Sequence, residues 1–226
     1  MPEALLFAGP SAWGLPDTAF TDAGVRRLPP VRRGDVERAV ADAGEPGVMI
    51  VCDGVFQIAP AVSHAELCGA IDAGWQVWGV SSLGAIRAWE LRGEGMHGFG
   101  EVYAMFDRFD DFTDDEMCLL HCPEPPYFPA SEALVNLRHV LDVDGLSLGV
   151  PAASAQALLD ALRRLWFGDR THERIRAAML ADARLSGDIA DALLARVRTH
   201  RVKTMDLEQL LAQRPWRSAF ARAGTP

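Results

Sequence analysis

Lysine is almost absent from this chain. Of 22 basic residues among 226, only Lys203 is a lysine and the other 21 are arginines. Arginine keeps its proton, whereas a desolvated lysine can shed one, so the chain holds a single amine side chain fit to act as a base. Positive charge is scarce as well: 31 acidic residues leave a net charge of −9. That excludes the cationic face with which proteins neutralise phosphates, and nucleic acid is not an expected partner. No apolar run approaches the roughly 18–20 residues of a spanning helix, so no membrane partner is expected either. "MPEALLFAGPS" lacks the basic flank and long apolar core of a secretory signal, which makes a cytoplasmic protein the expectation. Cysteine is sparse: Cys52, Cys68, Cys118 and Cys122 form no C-x-x-C. "CLLHC" (118–122) has no second ligand pair at zinc spacing, so these thiols read as small hydrophobes and no metal is expected. No P-loop occurs, and the one G-x-G-x-x-G (93–98) follows a helical stretch and not a strand, so no nucleotide cofactor is implied.

The rest of the chain is well patterned. "ALLFA" (4–8), "GVMIVC" (47–52) and "WQVWGV" (75–80) are short apolar runs bounded by Gly, Pro or Asp, as buried strands are. "VRRLPPV" (25–31) is extended but interrupted by proline, which suits an edge. Helical stretches lie between them: "GDVERAVADAG" (34–44) with Asp35 as cap, "SHAELCGAIDAG" (63–74) with a Ser63/Glu66 capping box, and "LGAIRAWELRG" (83–93). Strands alternating with helices predict an α/β fold with a mostly parallel open sheet and crossover helices in the N-terminal half. Residues 95–130 read as irregular. The acidic run "RFDDFTDDE" (108–116) reads as a solvated loop, with Mg²⁺ as the alternative occupant. "SEALVNLRHVLD" (131–142) is helical, with Ser131 as cap, and the periodicity from Pro151 onward is helical throughout. The division expected is an α/β core over 1–145 and a helical region over 146–226 packed on it as one compact unit. Asp206 with Gln209 marks the start of the last helix, which leaves Lys203 in the link before it.

In a parallel open sheet, ligands bind at the carboxyl ends of the strands. Three turns fall there: Gly9-Pro10-Ser11, Cys52-Asp53-Gly54 and Ser81-Ser82-Leu83-Gly84. A serine between a strand and a helix N-terminus has the layout of a nucleophile elbow. Ser82 lacks the full G-x-S-x-G spacing, because Gly79 stands three residues before it. The competing role for Ser81 or Ser82 is a helix cap, worth about 1 kcal/mol. As a nucleophile, the serine would have backbone N–H groups of Ser82 and Leu83 or Gly84 nearby to hold an oxyanion. His64 falls in the first turn of its helix, where the dipole favours a neutral imidazole able to accept or donate a hydrogen bond. Asp53 either orients a polar partner or makes a turn with Gly54.

These residues carry a resemblance. "GPS", "GDV" (34–36), "CDGVF" (52–56), "SHAEL" (63–67), "SSLGAIRAWEL" (81–91), "GMHGFG" (95–100), "DDE" (114–116) and "EALVNLR" (132–138) are similar to the core of the TfuA-like family, and Lys203 with Asp206 to its late K-x-x-D. The likeness is dense over residues 5–140 and thin in the helical tail.

The resemblance implies a partner of a YcaO-type enzyme, which uses ATP to activate a backbone amide for thioamidation in ribosomal peptide natural products. It implies a hydrolase that releases sulfide from the C-terminal thiocarboxylate of a ThiS-like sulfur carrier. It also implies help in holding the precursor peptide through the YcaO complex. A non-catalytic docking partner of the YcaO enzyme is the alternative. A Ser–Lys pair is associated with the site, so Ser82 or Ser11 becomes the nucleophile and Lys203 its base, with His64 beside them. Asp53, Gly54, Ser81, Gly84 and Arg87 become substrate contacts. Many relatives carry lysine after the motif histidine. Here that position is Ala65, so Lys203 is the only lysine left for the pair.

Overall fold

The computed structural model describes residues 4–55 and 59–217. Five short strands form one all-parallel sheet: β1 (Ala4–Phe7), β2 (Val25–Leu28), β3 (Val48–Val51), β4 (Gln76–Val80) and β5 (His97–Phe99). Their spatial order is β2-β1-β3-β4-β5, with β2, which stops at Pro29-Pro30, at the edge. The order reverses between β1 and β3, and this switch point is where doubly wound sheets hold their ligands.

The three central strands are buried because both faces are covered. On one face Leu6, Ile50, Trp78 and Val80 pack with Phe20 of α1 (Asp17–Ala23) and with Leu207, Leu210 and Leu211 of a late helix. The other face takes the crossover helices α3 (His64–Asp72) and α4 (Leu83–Glu90), with α2 (Asp35–Ala43) against α3. The capping box foreseen at Ser63 and Glu66 is present. Three elements were not foreseen, helix α1 among them. The strand β5 is three residues set among glycines, and α5 (Glu101–Arg108) follows it in a stretch that reads as irregular.

Two compact units make up the described chain. One runs to Asp110 and resumes at Asp206; the other is Asp111–Met205. The second is built from α6 (Leu134–Asp144), α7 (Ala152–Arg163), α8 (His172–Ala181) and α9 (Gly187–Thr199). Leu137, Leu158, Leu162, Met179, Leu193 and Val197 fill the space between these four helices. The last helix, α10 (Val202–Gln213), begins earlier than Asp206, so Lys203 lies in its first turn and not in a link.

Several caps also differ from the sequence reading. Gly34 holds the cap position of α2 with φ 85°, and Asp35 instead accepts from the Arg32 N–H. Ser131 accepts from the Leu120 N–H, three residues before α6 begins. Asp206 caps a different helix: its carboxylate accepts from the N–H groups of Glu101 and Val102, both at 2.8 Å, at the start of α5. Most of the acidic run is exposed, as expected of a solvated loop, and a 3-10 helix follows Thr113, but its last member is not solvated. Glu116 is fully buried between Arg138 and Arg163, which also bind Asp111, and Asp115 pairs with the buried Arg170.

Helix α4 lies unusually close to the sheet. A methyl group at Gly84 would sit 1.8 Å from the Val51 carbonyl oxygen, and one at Gly79 would sit 2.0 Å from the Gly84 carbonyl oxygen. Both obstacles are backbone, so no rotamer change relieves them. Gly84→Ala is expected to cost about 3 kcal/mol or more in urea unfolding. Gly69→Ala, in α3 with no atom within 4 Å of the new methyl, is expected to stabilise by about 0.5–1 kcal/mol. Equal effects at the two positions would refute the close-packing argument.

Burial pushes the Asp206 carboxyl up to about 7, against the two N–H bonds that favour its charge. The folded protein thus retains a proton that the unfolded chain has released. The stability from that proton is complete below about pH 4 and is lost as pH rises through about 7. Wild type should therefore lose stability relative to Asp206→Asn between pH 4 and pH 7 in chemical denaturation. A constant gap across that window would show that Asp206 does not titrate there.

Candidate functional site

Strand β1 ends in a short 3-10 turn, Pro10–Ala12, pinned by one carboxylate. Asp53, at the end of β3, accepts from the Gly9 N–H at 2.8 Å, the Ser11 N–H at 3.0 Å and the Ser11 hydroxyl at 2.7 Å. Both residues are buried. Asp53 is a clasp across the switch point, and Ser11 is the residue it holds. The strand-edge backbone closes the arrangement: the Val31 N–H donates to the Asp53 carbonyl and the Val55 N–H to the Val31 carbonyl. A methyl at Gly54 would lie 2.1 Å from Leu83 Cδ2 and 3.1 Å from the Val31 carbonyl oxygen, so Leu83 would have to move to admit it.

The adjoining turn after β4 is backbone-strained. Ser81 is fully buried and has φ 67°, a left-handed value that costs a non-glycine residue about 1–3 kcal/mol. The Ser82 N–H donates back to the Val80 carbonyl at 2.9 Å, so the chain reverses over three residues with Ser81 at the centre. Helix α4 starts immediately after, and its Gly84 N–H donates to the Cys52 carbonyl at 3.1 Å, tying the turn to the end of β3. Ser82 occupies the cap position of α4, yet its side chain makes no capping bond. Two of the N–H groups foreseen as oxyanion donors, those of Ser82 and Gly84, are committed to backbone carbonyls. Among the described residues no acceptor takes the Leu83 N–H.

Ser11, Asp53, Ser81, Ser82 and Gly84 are thus brought to one edge of the sheet, as the pattern predicted. His64 and Arg87 are engaged with each other's partner. His64 Nε2 lies 2.7 Å from Glu90 Oε2, Arg87 donates to the same carboxylate, and Arg87 Nε donates to the Val62 carbonyl. Glu90 is partly desolvated, but hydrogen bonds from His64 and Arg87 hold its carboxyl below the usual glutamate value.

In the helical unit Lys203 is buried, and its Nζ donates to the Met117 carbonyl at 2.9 Å. Its main-chain N–H donates to Asn136 Oδ1 at 3.2 Å. Asn136 Nδ2 in turn donates to Glu132 Oε1 at 2.7 Å, and Glu132 Oε2 receives Arg201 and His172. Burial of Glu132 works against its charge, yet His172, Arg201 and Asn136 together hold its carboxyl below the usual range. Asn136 and Glu132 were missed by sequence reasoning. The one available signal was a polar residue on the apolar face of "EALVNLR", four positions after a carboxylate.

A sequence model described as TfuA-like protein matches residues 53–171, more than half of the chain. The match includes Asp53, His64, the Ser81–Ser82 turn and Arg87; Ser11 lies before it and Lys203 after it. No curated protein matches the chain. With the serine turn, the α4 glycine packing and the acidic run all inside the matched segment, the chain belongs to the TfuA-like family.

Proposed function

We propose that the protein is a hydrolase that releases sulfide from the C-terminal thiocarboxylate of a ThiS-type sulfur carrier, supplying a YcaO enzyme for peptide backbone thioamidation. The observation that carries this reading is the Ser81 turn, strained at φ 67° and locked by the Gly84 contact. Strain of this kind persists where a side chain must be aimed, and an ordinary cap needs none. Within this reading the nucleophile is Ser81, two residues after Gly79, and Ser82 flanks it.

The chemistry balances without a cofactor. Ser81 Oγ attacks the thiocarboxylate carbonyl while Lys203, the residue the resemblance assigns, takes the hydroxyl proton. The Leu83 N–H faces the developing oxyanion, a donor worth about 3 kcal/mol of barrier. The C–S bond breaks, the proton passes to sulfur, and hydrosulfide leaves an acyl-serine. Water then cleaves the ester and frees the carrier carboxylate. A non-catalytic role, docking on the YcaO enzyme and ordering its precursor peptide, is favoured by Phe128 and Trp166, large apolar side chains about half exposed in the helical unit.

Incubation with a thiocarboxylated carrier should yield sulfide. Ser81→Ala and Ser81→Gly should both abolish release, and Ser81→Gly should in addition raise stability by about 1 kcal/mol as the strain is relieved. Ser82→Ala should change stability little, because no capping bond is lost. Lys203→Ala should slow release by roughly 10²-fold or more, and Lys203→Arg nearly as much. A fully active Ser81→Ala protein would remove Ser81 as nucleophile. If wild type released no sulfide yet captured the YcaO enzyme in a pull-down, the docking role would replace the hydrolase.

A further inference from the structure

Lys203 is held by its backbone as well as by its side chain. The first N–H groups of a helix have no partner within it, and α10 begins at Val202, so the Lys203 N–H needs an outside acceptor. Asn136, buried on α6, provides it. An asparagine amide can turn either way round, and Glu132 fixes the choice. Its carboxylate can only accept, so Asn136 must present Nδ2 to Glu132 and Oδ1 to Lys203. Glu132 is fixed in turn by Arg201 and by His172, whose Nδ1 accepts from Arg198 Nε at 3.3 Å. That last contact leaves the His172 proton on Nε2, pointing at Glu132. Every member of the chain therefore has one allowed orientation, and the chain ends on the main-chain N–H of the only lysine. At the other end of the same residue, Nζ meets the Met117 carbonyl.

We infer that Asn136 and Glu132 are positioning residues for Lys203: an amide oriented by a buried carboxylate fixes the first turn of α10 and with it the place of Nζ. The inference rests on the hydrolase reading for its consequence in catalysis, and on geometry alone for its consequence in structure. A displaced base loses rate while substrate affinity is kept, because the interaction it makes belongs to the transition state.

The decisive variants exchange the two groups. Asn136→Asp keeps an acceptor for the Lys203 N–H but sets two carboxylates against each other. Adding Glu132→Gln restores a donor–acceptor pair, the glutamine amide donating to the new aspartate and its oxygen accepting from Arg201 and His172. Asn136→Asp should lower kcat for sulfide release by roughly 10- to 100-fold with KM within about twofold, and the double variant should recover most of the loss. A second readout needs no activity. Because Lys203 is the chain's one lysine, acylation by an amine reagent followed by peptide mapping reports its accessibility without other lysines. Acylation should rise several-fold in Asn136→Asp and fall back in the double variant, at a temperature where both are fully folded. If wild type releases no sulfide, the hydrolase reading fails and the acylation arm alone decides the positioning. Wild-type acylation in Asn136→Asp, or no recovery in the double variant, would overturn the inference.

Discussion

The close approach of α4 to the sheet is the constraint on which the serine turn depends. Gly84 lies so near the Val51 carbonyl that helix and strand touch through their backbones. A turn joining elements pressed this tightly has few ways to reverse, and the three-residue reversal at Ser81 is one of them. The left-handed φ at Ser81 is thus held in place by packing, against the local preference of serine. The Gly84–Cys52 hydrogen bond and the Asp53 clasp extend the same rigidity to the ends of β3 and β1. These contacts leave the strand-end turns with little freedom.

Arginine's dominance over lysine has a structural counterpart in the helical unit. Arg138 meets the buried Glu116 through Nε and Nη2, both at 2.7 Å, a two-pronged contact that a lysine cannot make. The fully buried Arg170 divides its donors among the Leu162, Leu165 and Asp115 carbonyls and the Asp115 side chain. Such pairs need every donor satisfied, since breaking one leaves an uncompensated charge in low dielectric. They give the four-helix unit an ionic layer beside its leucine core, and they account for carboxylates whose density in the sequence suggested solvent or a metal.

The sheet was legible because its information is local. Three apolar runs bounded by turn residues, with helical stretches between them, admit little else, and the Ser63/Glu66 capping box is written in four consecutive residues. Strand β5 escaped because His97–Phe99 is too short for periodicity to register, and its pairing with β4 creates it. The site was half legible. Strand ends placed Ser11, Asp53 and Ser82 together, but spacing was measured from Gly79 to Ser82, whereas the strained residue is Ser81. Which serine bears the strain depends on how closely α4 packs, and that is set by contacts no local window contains. Asp206 illustrates the same limit. Its spacing to Gln209 has the form of a local cap, yet it caps a helix 105 residues earlier.

That long reach has a consequence for how the chain is made. Synthesis proceeds from the N-terminus, so all five strands leave the ribosome well before Asp206 exists to complete α5. Leu207, Leu210 and Leu211, which cover Leu6, Ile50 and Trp78, are equally late. Through the translation of the whole helical unit, one face of the sheet lacks the cover these leucines supply and is exposed to solvent or to chaperones. The α/β unit is therefore the first to begin and the last to finish, closing only when α10 folds back over strands made about 130 to 200 residues before, a distance at the expense of folding speed.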